Sequence, residues 1–283
     1  MPRYSTQELN QYVTMIQSQY ASQEQPLVAS LYHEASKRHN PLQPVSPVPF
    51  DADYLPAFSY RAYKEYRLAP RIQLPQWPEI AGISLDKLLT NRRTIRSFAS
   101  RSLLPQQLSA VLGLSYRVTN PEAVIDETFP GPRRPVPSGG ALYPLELYLA
   151  VLDVEDVAPG LYHYHPVQHC LEELHQTAPE PALKQCITES ELPANTALAL
   201  CICGIIPRTC FKYGELGYRL MLLEAGHVTQ NVITTAQALG LGTLPYCSFY
   251  DDKLHHYLGV DGVDEVYLYV IWIGWPPLDE PGT

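Results

Sequence analysis

Apolar positions Leu222, Ala225, Val228, Val232, Thr235 and Leu239 recur at spacings of three and four within a proline-free stretch from Tyr218 to Leu239. That spacing predicts a helix with one buried stripe. Gly240-Leu241-Gly242 is a good stop for it. At ~1.5 Å per residue the helix spans ~33 Å, enough to cross a domain. Other segments carry the period of strands. Glu146–Leu152 reads as one strand, and Leu161–His165 as a second after the Pro159-Gly160 turn. Alternation in the second puts Tyr162 and Tyr164 on one face and His163 and His165 on the other. The apolar run inside Thr196–Ile206 reads as a buried central strand, and Val266–Gly274 as the last strand.

Shorter helical patterns fill the gaps. One begins at Leu85, with Ser84 at the N-cap and Lys87 where a capping box would want Glu. Another covers Leu104–Leu112 with proline in its first turn. Residues 179–190 and Asp251–Leu258 complete the set. Strands interleave with helices without a regular βαβ repeat, which predicts an α+β fold.

The N-terminal part differs. Residues 7–40 read as helical in two pieces, the second closing at Leu31–Lys37. From Pro41 to Pro78 prolines interrupt any regular element, so this stretch reads as an extended segment draped over a body. Tyr54, Phe58, Tyr60, Tyr63 and Tyr66 are its candidate anchors. The expected division is a helical and proline-rich extension over residues 1–80 and a body over 81–283, beginning near Ile83.

Composition narrows the function. The chain has 283 residues, 46% hydrophobic, enough for a sizeable core. A net charge of −9 with no long basic face argues against nucleic acid as a partner. No apolar run reaches the ~18 residues of a membrane span. The N-terminus lacks the apolar core of a signal peptide, and the expected compartment is the cytoplasm. Cys170, Cys186, Cys201, Cys203, Cys210 and Cys247 show no paired framework and read as reduced thiols serving as small hydrophobes. His163 and His165 have a spacing a metal could use, but no third ligand is apparent. His33 and His39 read as solvated or capping histidines.

Four stretches carry candidate chemistry. Asn91-Arg92-Arg93-Thr94-Ile95-Arg96 sets guanidinium forks around a hydroxyl, as a phosphate requires; it also suits a solvated helix end. Pro137-Ser138-Gly139-Gly140-Ala141-Leu142-Tyr143-Pro144 lets backbone N–H groups approach a ligand, without the Gly-Lys-Ser/Thr of a phosphate-binding P-loop. Lys212-Tyr213-Gly214 stands at the entrance of the long helix, and Leu241-Gly242-Thr243 follows its end.

In this order the four stretches resemble the nitroreductase-like flavoproteins. With Tyr218-Arg219 and Leu223-Glu224-Ala225-Gly226-His227 they resemble, more narrowly, the SagB-type dehydrogenases, FMN-dependent oxidases that turn thiazolines and oxazolines in ribosomal peptides into thiazoles and oxazoles. The resemblance covers about Leu85 to Pro276. It implies a central, mostly antiparallel sheet flanked by helices, in an intertwined homodimer. It implies FMN as cofactor, with Arg92, Arg93, Thr94 and Arg96 at the phosphate and ribityl chain. Pro137, Ser138, Gly139, Leu142 and Tyr143 would lie against the isoalloxazine, from the partner subunit, and Leu241, Gly242 and Thr243 would cover its other side. Relatives commonly end the last strand with Gly-Arg-Pro; here Gly274-Trp275-Pro276 stands there. Trp275 cannot pair with a phosphate, which leaves Arg96 as the substitute.

Lys212 and Tyr213 correspond to the residues implicated in azoline oxidation. Aromatising the ring removes a proton and a hydride, and the protein must supply a base. A tyrosine beside an ammonium and a lysine in a desolvated pocket can each do so. The implied partners are a modified precursor peptide, O2 as electron acceptor and, alongside, a cyclodehydratase. Two other readings use the same fold: an NAD(P)H-dependent nitro or quinone reductase, and an inactive partner subunit of a peptide-modifying complex.

Overall fold

The computed structural model describes residues 28–37, 63–77, 79–80, 82–120, 133–189 and 191–277. The first predicted helical piece, His39, and the anchors Tyr54, Phe58 and Tyr60 lie outside the described residues. The chain divides into two units, residues 1–43 and 44–283. In the first, α1 (Val28–Ala35) realises the predicted second helical piece.

In the second unit a seven-stranded sheet forms from β1 (Arg71–Gln73), β2 (Leu145–Val151), β3 (Gly160–His165), β4 (Cys170–His175), β5 (Leu198–Ile205), β6 (Gly242–Tyr246) and β7 (Glu265–Gly274). The order is β1-β4-β3-β2-β5-β7-β6. Each neighbouring pair is antiparallel, so the described sheet is antiparallel throughout. β2 and β5 lie at its centre and pair in register from Leu145↔Gly204 to Val151↔Leu198. Their near-continuous apolar sequence follows from burial on both faces.

Helices cover the sheet on both sides. α3 (Pro105–Tyr116) packs on α6 (Glu215–Ala238). Together with Leu145, Leu147, Leu149 and Val151 of β2 they build one core cluster. On the opposite face α4 (Pro179–Cys186) and α7 (Asp251–Leu258) pack around Tyr148, Ala150, Leu161 and Trp272. The alternation read in β3 is present: Tyr162 and Tyr164 enter the first cluster, while His163 faces Tyr66 and Tyr148.

Three differences from the sequence reading have physical causes. β1, β4 and β6 do not stand out as strands in the sequence. β1 has three residues, β4 is mixed in polarity, and β6 carries Pro245, which an edge strand tolerates. The sheet therefore reaches back to Arg71, ahead of Ile83. In α6 the expected stripe is buried at Ala225, Val228, Val232 and Thr235, but its first position is Met221, fully buried, rather than Leu222, which is 42% exposed. A Cβ at Gly217 would meet the Thr209 backbone at 2.7 Å, and this close approach of the preceding helix fixes the rotation of α6. Ser84 occupies the N-cap of α2 (Leu85–Thr90) but makes no side-chain capping bond there.

Both ends of α6 are set by glycine. Gly214 (φ 55°) breaks the chain between α5 (Pro207–Tyr213) and α6. Gly240 (φ 77°) ends α6, with Gly240 N–H on Gln237 O and Leu241 N–H on Ala236 O, a complete Schellman pattern.

Candidate functional site

Lys212 and Tyr213 close the last turn of α5, where Gly214 swings the chain into α6. They lie against the serine-glycine loop. A Cβ at Gly140 would stand 2.5 Å from Tyr213 Oη and 2.9 Å from Lys212 Nζ. Lys212 Nζ lies 5.3 Å from the centre of the Tyr213 ring. A side chain at 140 would displace both atoms, and its φ of 64° favours glycine there. The structure thus brings together two stretches that are far apart in sequence, Gly140 and Lys212-Tyr213.

The loop is fixed from below. Gly139 rests on Leu220 of α6. Ser138 Oγ accepts the Tyr143 N–H at 2.9 Å, and Tyr143 Oη accepts the Arg134 N–H at 3.2 Å. The Leu142 and Tyr143 side chains are buried, while Pro137 and Gly140 are exposed. Ala141 and Tyr143 also hold positive φ (53° and 43°), a conformation non-glycine residues adopt only when their surroundings impose it.

The other predicted residues gather at the far end of α6. Ile95 N–H donates to Thr243 O at 3.0 Å, and Gly242 has no Cβ because Ile95 lies over it. Arg92, Arg93 and Arg96 are exposed beside this contact, and Arg92 Nη1 reaches Thr94 Oγ1 at 3.4 Å. Trp275 pairs with Ala99 in an antiparallel bridge, and its Nε1–H donates to Ser102 O at 3.0 Å. The Arg101 guanidinium stacks 3.6 Å from the Trp275 ring. The sequence reading named Arg96 as the substitute for the arginine missing at 275; the structure puts Arg101 directly over that position.

Leu220, under the loop, and Ala238, before the arginine cluster, are 18 residues apart on one helix. At ~1.5 Å per residue that is ~27 Å. One copy of the chain therefore presents a Lys–Tyr–glycine cluster and an arginine cluster at opposite ends of α6.

Beneath the loop is a buried carboxyl that sequence reasoning quoted but gave no role. Glu224 is 2% exposed, and its Oε1 accepts the Tyr116 hydroxyl at 3.1 Å. Burial pushes its pKa up to about 7, against the opposing influence of Ser138, Arg134 and Tyr116.

A second set of buried charges lies on the other face of the sheet. His163 is held between Glu172 (Nδ1 2.9 Å) and Glu146 (Nε2 3.0 Å). Arg208 Nη1 meets Glu146 at 2.6 Å, and Arg71 Nη2 meets Glu172 at 2.9 Å. With a carboxylate at each nitrogen, His163 is a double donor; its neighbours raise its pKa although burial opposes this. Burial alone would raise Glu146, but Arg208 and His163 hold it down to about 2. Segment 63–70 closes over this network. Lys64 N–H donates to Glu146 at 2.6 Å, Lys64 Nζ meets Glu265 at 2.7 Å, and Tyr66 N–H donates to Glu172 at 3.0 Å. The signal in the sequence was a carboxylate inside an otherwise apolar strand, which must find partners when buried. Among the described residues no cluster suited to a metal ion forms, and both His163 nitrogens are committed to carboxylates. A groove of about 1400 Å³ opens on this face between Tyr66, Pro70, Leu174, His175, Cys186 and Tyr257; none of the predicted site residues lines it.

No described helix is long and apolar enough to cross a membrane. A family model described as the nitroreductase family matches residues 89–275. The putative nitroreductase MJ1384 of Methanocaldococcus jannaschii is 36% identical over 190 residues, 65% of this chain and 89% of the relative. The microcin B17-processing protein McbC of Escherichia coli is 31% identical over 173 residues; they make up 57% of this chain and 63% of McbC, so the match spans less than two thirds of that protein. Among solved structures, the E. coli microcin synthetase McbBCD complex with truncated pro-MccB17 bound is similar in fold, with a TM-score of 0.57 and 24% identity, covering 89% of this chain and 92% of the matched one.

Proposed function

The chain belongs to the nitroreductase family, and from that membership we propose that it is an FMN-dependent oxidase that converts thiazoline or oxazoline rings of a modified precursor peptide to thiazoles or oxazoles. The observation that carries this reading is the convergence of Lys212 Nζ and Tyr213 Oη on Gly140. A candidate base pair is held against a loop whose missing Cβ at Gly140 lets both polar atoms approach the backbone. The curated relative named for microcin processing supports a peptide substrate.

The residues fit a flavin mononucleotide in kind. Arg92, Arg93 and Arg96, with the Thr94 hydroxyl, would hold the phosphate and ribityl chain. Arg101 adds a cation where Trp275 offers none. Leu241, Gly242 and Thr243 would cover one face of the ring system. Pro137, Ser138 and Gly139, with Leu142 and Tyr143 anchoring them, would meet it from a second copy. The two half-sites on one copy are farther apart than the length of one flavin, so the proposed enzyme is a homodimer with each site completed across the interface.

When bound, FMN supplies the hydride acceptor, and O2 is the final electron acceptor. The remaining work falls to the chain. The loop at Gly140 would hold the two side chains of the pair where the azoline ring is to be deprotonated. Either the Lys212 amine or the Tyr213 phenolate takes the ring proton, so the substrate loses two hydrogens per ring. The neighbouring side chain steadies the charge that develops on the base. The azoline itself must come from a cyclodehydratase, and we propose that the chain works beside one.

The test is aerobic incubation of the FMN-loaded protein with an azoline-containing peptide, read by mass spectrometry. Loss of two hydrogens per ring is expected. A protein that holds FMN but leaves the peptide mass unchanged would overturn the reading.

A further inference from the structure

Glu224 lies directly under the loop that the Lys212–Tyr213 pair touches from the other side. Leu220 and Glu224 are one turn apart on the same face of α6. Leu220 supports Gly139, and Glu224 faces Ser138. Oε1 is served by the Tyr116 hydroxyl, which itself accepts the Leu145 N–H at 3.2 Å. Oε2 is buried and makes no hydrogen bond. The groups around the carboxyl are Tyr116 of α3, Arg134, Ser138 and Tyr143 of the loop, Glu146 of β2 and Arg208 of α5. A neutral carboxyl can stay in such a place. A carboxylate there has the Tyr116 hydroxyl on one oxygen and no bond made to the other, so ionisation favours a shift that brings the facing Ser138 hydroxyl or a water onto Oε2.

The loop is poised to respond. Gly140, Ala141 and Tyr143 all hold positive φ, and Tyr143 N–H is tied to the same Ser138 hydroxyl that faces Glu224. Only Gly139 separates Ser138 from Gly140, where the pair makes contact.

We propose that Glu224 is a positioning residue of the Ser138–Tyr143 loop: while protonated it holds the loop against Lys212 and Tyr213, and on losing its proton it releases the loop. The placement of the loop depends on this chain alone. The consequence for turnover rests on the oxidase reading above.

The test compares the full-length wild type with Glu224→Gln, whose amide keeps the shape and does not titrate. Hydrogen exchange is followed at the Ala141, Leu142 and Tyr143 amides, all of which are bonded within the loop. The two proteins should exchange alike at about pH 6, and at about pH 8 wild type should exchange about tenfold faster than the variant. Equal rates at the higher pH overturn the proposal. Tyr116→Phe provides a second arm. It removes a donor that favours the ionised form, so the onset of fast exchange should move to higher pH; an onset that does not move also overturns the proposal. With an azoline peptide and FMN, wild-type kcat should fall through the same window at constant KM, while that of Glu224→Gln stays level. A protein that shows the exchange difference but makes no azole keeps the role of Glu224 and refutes the oxidase reading.

Discussion

Glu146 and Glu224 are buried carboxyls on opposite faces of one sheet, 1% and 2% exposed. Burial raises both, yet Glu146 ends at about 2 and Glu224 at about 7. The difference lies in their company. Glu146 meets Arg208, His163 and the Lys64 N–H directly, whereas Glu224 has one tyrosine hydroxyl and a bare oxygen. A fully paired buried charge fastens structure, here the segment that carries Lys64 and Tyr66 onto the sheet. An incompletely paired one can change state near neutral pH, and it sits on the face where the candidate chemistry is.

If the two faces divide the work in this way, substitutions should separate turnover from stability. Lys212→Ala or Tyr213→Phe should leave folding and FMN binding intact and lower azole formation by about 10²–10⁴-fold, the usual worth of a positioned base. A mass-spectrometric assay that finds both variants active would break the assignment of chemistry to the α6 face. On the other face, Glu146→Leu should destabilise the fold by about 3–5 kcal/mol, because Arg208 and the Nε2 of the buried His163 would both lose their carboxylate partner. Denaturant melting checks this; a change under 1 kcal/mol, on the order of an exposed pair, would show that the network does not clamp the segment.

A smaller effect is expected where the charges are exposed. Arg92→Ala should weaken FMN binding by about 1.5–3 kcal/mol, the range for a hydrogen bond to a charged group, read by titrating the apoprotein with FMN. Unchanged affinity would move the phosphate site away from the end of α6. Size-exclusion mass measurement belongs to the same experiment: full flavin occupancy in a monomer would contradict the division of the site between two copies.

Much of this architecture was legible in the sequence, for reasons that differ by element. α6, β2, β5 and β7 have long, regular apolar patterns, and their existence needs no knowledge of neighbours. The edge strands β1 and β6, and β4 beside β1, form because a neighbour offers backbone partners, and single-segment pattern does not record that. The stripe of α6 is legible from Ala225 to Thr235; only its first turn differs, with Met221 buried in place of Leu222 where Gly217 packs on the Thr209 backbone. The stretches of the candidate site were legible as motifs. What the sequence did not show was the pairing among them: Lys212 and Tyr213 with Gly140, Ile95 with Thr243, and the ~27 Å between the two groups. The ionic network was missed for the same reason. Lys64, Glu146, His163, Glu172 and Glu265 are spread over 201 residues, and only the sheet register brings them together.

The smallest predicted effect separates the two carboxyls by pH alone. Glu146 has a depressed pKa, so its contribution is present above its ordinary value of 4.5 and is lost as pH falls toward about 2. Glu224 has a raised pKa. Its protonated form is favoured by folding, so its contribution is present below 4.5 and is lost as pH rises through about 7. His163, also raised by its partners, loses its contribution as pH climbs above its ordinary 6.5. Glu224→Gln removes only the second of these. Between about pH 6 and about pH 8 the native state of the wild type gives up about one proton that the unfolded chain no longer holds, worth about 1.4 kcal/mol. The stability difference between variant and wild type should therefore grow in favour of the variant by that amount over this window, and stay flat between about pH 8 and about pH 9. Parallel denaturant curves at each pH read it directly. A difference that does not change across the window would mean that Glu224 is ionised throughout, and the contrast between the two faces would then rest on Lys212 and Tyr213 alone.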